Sequence, residues 1–256
     1  MEASGPAFTI PQQDAFIPTI KIIGAGGGGG NVVSKMADEG IQHVELIACN
    51  TDLKALNNSN ATIKMELGRE LTRGLGAGAR PEIGAHAAEE SAAEIERMLS
   101  GADMAFIVAG MGGGTGTGSA PVIARISKSK KILTVGVVTL PFSFEGKRRM
   151  RAALQGVATL RENTDTLLVI PNERLLEATD RSTSFKDAFH MVDEVLVHAI
   201  QGITDLLNGV GDINVDFADM QTVMEGMGRA VIGMGTGVGK DRMFRAIDSA
   251  IHSPLM

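Results

Sequence analysis

Two glycine runs are the residues best suited to chemistry. The first, Gly24-Ala25-Gly26-Gly27-Gly28-Gly29-Gly30-Asn31, follows a β-branched stretch and precedes a helical pattern. Gly24, Gly26 and Gly29 have the spacing that lets backbone amides approach a pyrophosphate at a helix N-terminus. Five consecutive glycines cost much unfolded-state entropy, more than a simple flexible turn requires. The second run is Gly110-Met111-Gly112-Gly113-Gly114-Thr115-Gly116-Thr117-Gly118-Ser119. It repeats the layout with two threonine hydroxyls, and Pro121 is expected in the first turn of the following helix. A dinucleotide needs one such loop. Two loops on neighbouring strand ends suit a longer anion, a triphosphate held from both sides.

A third run covers residues 74–81, in which Gly76, Ala77, Gly78 and Ala79 precede Arg80 and Pro81. It reads equally as a structural turn or as a donor of amides to the terminal phosphate. Gly237-Val238-Gly239-Lys240-Asp241 resembles the tail of a Walker loop, but the spacing fails and Asp241 replaces the Mg²⁺-holding hydroxyl. Lys240 is expected to be a solvated helix-start residue.

Phe189 and Asp193 are four apart and share a helix face. Phe189 can stack on a purine while Asp193 accepts N1–H and NH₂ of guanine, a donor pair adenine lacks. The plainer alternative is a core Phe and a solvent-facing Asp. In Pro141–Arg149, Glu145 is placed to accept a ribose hydroxyl and Arg149 to neutralise phosphate. Lys147, Arg148 and Arg151 read as a solvated face. Asn172, just past a strand, lies on the same side.

Asn214, Asp216 and Asp219 open a short helix. Two readings stand: capping with first-turn charge compensation, or carboxylates that polarise an attacking water placed by Asn214 near the γ-phosphate. Between Phe189 and Asn214 a fully helical path spans about 38 Å. That distance disfavours hydrolysis within one molecule and favours a stacked neighbour that supplies the acidic loop.

Strands at 19–23, 44–49, 104–109, 132–138 and 166–170 alternate with helices at 31–39, 85–99 and near 119–129, and Gly40 is a stop signal. The alternation implies an α/β fold with a doubly wound, Rossmann-like parallel sheet. A long helix is expected over 185–208, then a glycine turn at 209–212, a helix from Asp216, a strand near Arg229 to Met234, and a helix from Asp241. The organisation reads as a flexible arm (1–18), a nucleotide-binding domain (19–184), a central helix (185–208), and a catalytic loop opening an incomplete second α/β domain (209–256).

The chain of 256 residues has a formal net charge of -6, which disfavours a nucleic-acid coat. No apolar run is long enough to insert in a membrane, and no secretory signal opens the chain. Cys49, the single cysteine, is expected to be a buried small residue, and the chain is expected to be cytoplasmic.

These segments together resemble the bacterial, tubulin-like cell-division GTPase family (FtsZ-type). GGGTGTG at 112–118 is similar to the tubulin signature loop. It is joined by GAGGGGGN at 24–31, NTD at 50–52 (Asn50, Thr51, Asp52), TRGLGAGA at 72–79, PFSFEGKRR at 141–149, IPN at 170–172 and NVDFAD at 214–219. The resemblance implies a GTP pocket with Asn31 and Asp193 at the base and Phe189 stacking, and with Glu145, Arg149 and Asn172 near ribose and phosphate. It also implies Mg²⁺ with the nucleotide and a head-to-tail homopolymer forming the mid-cell division ring, with the pocket completed by the next subunit's loop. Division proteins and membrane anchors are the implied partners. The sequence departs from the family at Arg80, where Asn is usual, and at Leu140, where Lys is frequent. It also ends at Met256, before the family's remaining strands, linker and tail docking site. Two rivals are a catalytically weak GTP-binding fragment that caps or joins filaments, and an NAD-dependent oxidoreductase resting on Gly24, Gly26 and Gly29, with Asp52 as its ribose acid.

Overall fold

The computed structural model describes residues 17–177, 184–208, 215–253 and 255. Seven parallel strands form one sheet in the order β3-β2-β1-β4-β5-β6-β7. These are β1 (Ile20–Ala25), β2 (Val44–Asn50), β3 (Ile63–Glu66), β4 (Met104–Gly110), β5 (Leu133–Leu140), β6 (Thr166–Pro171) and β7 (Gly228–Ala230). Burial of β1, β4 and β5 on both faces explains why their sequences are continuously apolar rather than alternating.

Eleven helices are described: α1 (Gly26–Asp38), α2 (Leu53–Asn57), α3 (Arg69–Thr72), α4 (Pro81–Glu90), α5 (Ala92–Leu99), α6 (Thr115–Ser129), α7 (Lys147–Glu162), α8 (Asn172–Glu177), α9 (Phe185–Asn208), α10 (Phe217–Met224) and α11 (Arg242–Ile251). They cover the sheet in two layers. One core joins Val32, Val33 and Met36 of α1 to Val192, Leu196 and Ile200 of α9. The other joins Ala87, Ile95, Ile123 and Leu160 of α4 to α7. The fold is therefore the Rossmann-like sheet expected. β1 and β4 are neighbours whose following helices go to opposite faces. Their carboxyl ends form the crevice where such sheets bind ligands.

Several expected boundaries are corrected. α1 begins at Gly26, so the glycines of the first run lie in a helical turn rather than before one. Gly40 (φ +69°) does end α1, with its amide on Ala37 and that of Ile41 on Met36, a left-handed stop that suits glycine. α6 begins at Thr115, which leaves Pro121 inside the helix instead of in its first turn. The helix expected over 85–99 is two helices broken at Ser91, whose hydroxyl accepts the Gly68 amide. The basic segment from Lys147 is α7. The strand near Arg229–Met234 shortens to β7, which pairs with β6 at the sheet edge. The helix over 185–208 is observed with those bounds. Cys49 is buried near the end of β2, and burial pushes its thiol up to about 12. Among the described residues no helix is long and apolar enough to cross a membrane.

Candidate functional site

The three glycine runs meet at the carboxyl ends of β1, β2 and β4. A Cβ added at Gly26 would lie 2.6 Å from the Gly116 amide nitrogen, and one at Gly28 would lie 3.2 Å from that of Gly110. A Cβ at Gly114 would lie 2.9 Å from Ala77 and 3.1 Å from the Ala79 nitrogen. The first run therefore packs on the second, and the second on the third. Side chains at these contacts would separate the loops.

Other glycines have no such reason. A Cβ at Gly27, Gly30 or Gly113 would meet nothing within 4 Å, and none of the three has a positive φ. Their missing side chains leave open a cradle that a ligand can fill.

The same loops carry free donors. The first amides of α1 and α6 have no intrahelical acceptor, as at any helix start. The amides of Gly113, Gly114, Ala77, Gly78 and Ala79 meet no acceptor among the described residues. Two aligned helix starts add partial positive charge. Other members of the runs are occupied structurally. The Gly112 amide donates to the Thr117 hydroxyl at 2.8 Å. The Gly118 amide bonds Gly114, and a Cβ there would sit 2.0 Å from the Pro81 carbonyl oxygen. Gly29 packs on β4, where a Cβ would sit 2.1 Å from the Val108 oxygen. The Gly76 amide donates to the Thr51 carbonyl at 2.9 Å. Packing or hydrogen bonds thus hold Thr117, Gly118, Gly29 and Gly76 in place within the loops.

The segment after β2 fastens the third run. Asp52 and Leu75 form an isolated antiparallel bridge, and Thr51 hydrogen-bonds Thr115. The Asp52 carboxylate accepts the Ala55 amide at 3.0 Å and caps α2, while the buried Asn50 side chain accepts the Asp52 amide.

Three connected cavities follow the loops. The largest, about 720 Å³, is lined by Gly26, Gly27, Gly30, Asn31, Asn50 and Asp193. A narrower one of about 150 Å³ shares Asn31 and Asp193 and adds Glu145, Arg149, Asn172 and Phe189. A third of about 480 Å³ shares Glu145 and Arg149 and adds Gly112, Gly113, Gly114 and Ala79. Candidates for base, ribose and phosphate therefore line three neighbouring cavities that share Asn31, Asp193, Glu145 and Arg149.

Asp193 lines two of them. Burial raises its carboxyl to about 6; His190 and Lys35 oppose this and Glu194 adds to it. Phe189 is 43% exposed, with its ring set edge-on to Phe142 at 5.2 Å. It is thus neither a core residue nor a free one. The Glu145 carboxylate accepts the Phe142 amide at 2.9 Å and pairs with Arg149 at 2.9 Å. Asn172 is 4% exposed, and its Oδ1 is buried with no hydrogen-bond partner. An orphaned acceptor costs about 1–3 kcal/mol, and its place in the crevice fits a ligand donor.

Asp216 and Asp219 are not brought to the crevice. The Asp216 carboxylate accepts the Asp219 amide at 2.8 Å and caps α10. α10 lies by the amino ends of the strands, opposite the crevice: the Met224 carbonyl accepts the hydroxyl of Thr166, the first residue of β6. Gln221 shares a cavity with Lys131 and Asp165 at that end. Asn214 lies outside the described residues. No cluster of three or more metal-binding side chains occurs among the described residues. A Mg²⁺ held here would be carried mainly by phosphate oxygens and water, as is usual for that ion.

Lys35, His190 and Thr139 also line the crevice and were not singled out from sequence. Each carried a signal. Lys35 is one helical turn after Asn31, His190 follows Phe189, and Thr139 is in register with Gly110.

A model of the Tubulin/FtsZ family, GTPase domain, matches residues 19–180. The chain is similar to FtsZ from M. jannaschii, solved as an empty dimer: 48% identity and TM-score 0.90, covering 93% of this chain and 69% of that one. It is also similar to CetZ2 from Haloferax volcanii, a GTPgS-bound protofilament, at 23% identity, TM-score 0.76, and coverage of 87% and 67%. CetZ1 from the same organism, a GDP-bound monomer, matches at 26% identity, TM-score 0.73, and coverage of 86% and 68%.

Proposed function

The chain belongs to the Tubulin/FtsZ family as a GTP-binding, GTP-hydrolysing protein, and from that premise we propose how it holds and cleaves the nucleotide. Guanine lies between Asn31 and Asp193 and against Phe189, with the Asp193 carboxylate taking N1–H and NH₂. Asn172 and Glu145 serve the base and ribose side. The phosphates cross the amides of Gly26 to Gly28, Gly113 to Gly116, and Ala77 to Ala79, with Arg149 and nucleotide-borne Mg²⁺ balancing charge. The observation that carries this reading is the open cradle at Gly27, Gly30 and Gly113, bordered by unpaired amides and the orphaned Asn172 oxygen.

Hydrolysis occurs between subunits. Asp216 and Asp219, with Asn214, polarise a water for in-line attack on the γ-phosphate of the neighbouring subunit. The separation of α10 from the glycine turns supports this. The axis of α9 alone runs about 28 Å from Phe189 to Asn208. The dimer and protofilament forms of the similar proteins support head-to-tail stacking. The homopolymer builds the cytoplasmic division ring of a bacterium at mid-cell, together with division proteins and membrane anchors. The similar structures named above are archaeal.

The domains follow: nucleotide binding in 19–184, the central helix in 185–208, and the acidic loop with a second domain beyond. The oxidoreductase reading loses its ribose acid, since Asp52 caps α2, and loses its family. Competition binding of GTP, ATP and NAD tests the whole reading. GTP should displace the others at the lowest concentration, and preference for NAD would end it.

A further inference from the structure

We propose that the side chain of Arg80 is a phosphate ligand in this chain, meeting the terminal phosphate of GTP from the third glycine turn. The inference rests on the nucleotide reading above. The Arg80 amide closes the turn on the Ala77 carbonyl at 3.1 Å. The side chain then doubles back: Nε and Nη2 lie 3.9 and 4.0 Å from the position a Cβ of Gly78 would take. The guanidinium therefore covers the stretch whose Ala77, Gly78 and Ala79 amides are unpaired. The same residue touches the second run, since its nitrogen lies 2.8 Å from a Cβ position on Gly114.

Charge in the cavity of about 480 Å³ points the same way. Arg80 lines it with Arg148, Arg149, Glu82 and Glu145. Glu145 is already paired with Arg149. Arg80 makes no ion pair or side-chain hydrogen bond with any described residue, Glu82 included. A guanidinium beside free amides, without an anion of its own, matches a phosphate, to which it can present two parallel donors. A neutral amide side chain at this position brings no such charge. Because the cavity that Arg80 lines includes neither Asn31 nor Asp193 of the proposed base end, Arg80 meets the phosphate farthest from the base and distinguishes triphosphate from diphosphate rather than one base from another.

The test is the affinity of GTPγS and of GDP for wild type, Arg80→Ala and Arg80→Asn, measured on dilute protein below assembly. Loss of one charge-assisted contact should weaken GTPγS about tenfold, with GDP changed by less than about twofold. Arg80→Lys should recover part of the loss. Retained GDP binding shows that each variant is folded. An unchanged ratio of the two affinities, or equal weakening of both, overturns the role of Arg80 alone. Wild type binding neither nucleotide overturns the underlying reading and this inference with it.

Discussion

The hydroxyl groups of Thr51 and Thr115 stand 2.6 Å apart, joining the end of β2 to the first residue of α6 over the end of β1. Thr51 also accepts the Gly76 amide through its carbonyl, so this one buried residue ties the second and third glycine turns together. Thr51→Val keeps nearly the same volume and strands the partner hydroxyl. It should cost about 1–2 kcal/mol in urea unfolding and weaken GTP binding as well. Unchanged GTP affinity would show that the link does not set the cradle.

Two glycine substitutions should behave in opposite ways. Gly118→Ala places a methyl 2.0 Å from the Pro81 carbonyl oxygen and should destabilise the fold by about 1–3 kcal/mol through overpacking. Gly27→Ala meets open space, so its melting temperature should hold or rise slightly. Its GTP affinity should nevertheless fall, since the added methyl enters the phosphate cradle. Thermal melts with and without GTP separate the two.

Asp193 gives a pH dependence of known sign. Burial raises its carboxyl to about 6, and the guanine contact proposed for it uses the charged form. GTP affinity should be level above neutral pH and approach a tenfold loss per unit well below about 6, where one proton must leave on binding. The stability of the empty protein moves the other way through this group. The folded chain holds a proton up to about 6 that an unfolded carboxyl has already released, so this contribution grows as pH falls through that window. Asp193→Asn should flatten the binding profile and reduce the preference for GTP over ITP. A profile that survives the substitution would assign the titration elsewhere.

The sheet and the crevice were readable because buried parallel strands and glycine runs leave local signals. β1, β4, β5 and α9 are written in continuous apolar stretches or helical period. What local pattern could not carry is the division of labour within the runs. Gly27 and Gly118 look alike in sequence, yet one borders open space and the other packs on the start of α4. That difference depends on the third dimension. The same holds for α1, whose glycine-rich first turn has poor helix propensity and is held by packing on β4. β3 was hidden because an edge strand is short and half exposed, and β7, expected near Arg229–Met234, is shorter for the same reason.

The capping contact of Asp216 and the catalytic role proposed for it can be separated. As an N-cap it accepts the Asp219 amide, and Asn caps about as well as Asp. Asp216→Asn should therefore leave unfolding within about 0.5 kcal/mol of wild type, keep GTP binding, and lower phosphate release by about 10²-fold or more, the scale for losing a group that positions the attacking water. Normal release from the Asn variant would leave Asp216 as a cap only.

That cleavage needs two subunits is tested most directly by phosphate release in a single turnover, followed from dilute to concentrated protein. The rate per subunit should rise steeply with concentration as neighbours bring α10 to the bound triphosphate, and should be negligible for monomer. A rate per subunit that is already maximal in dilute monomer would contradict it.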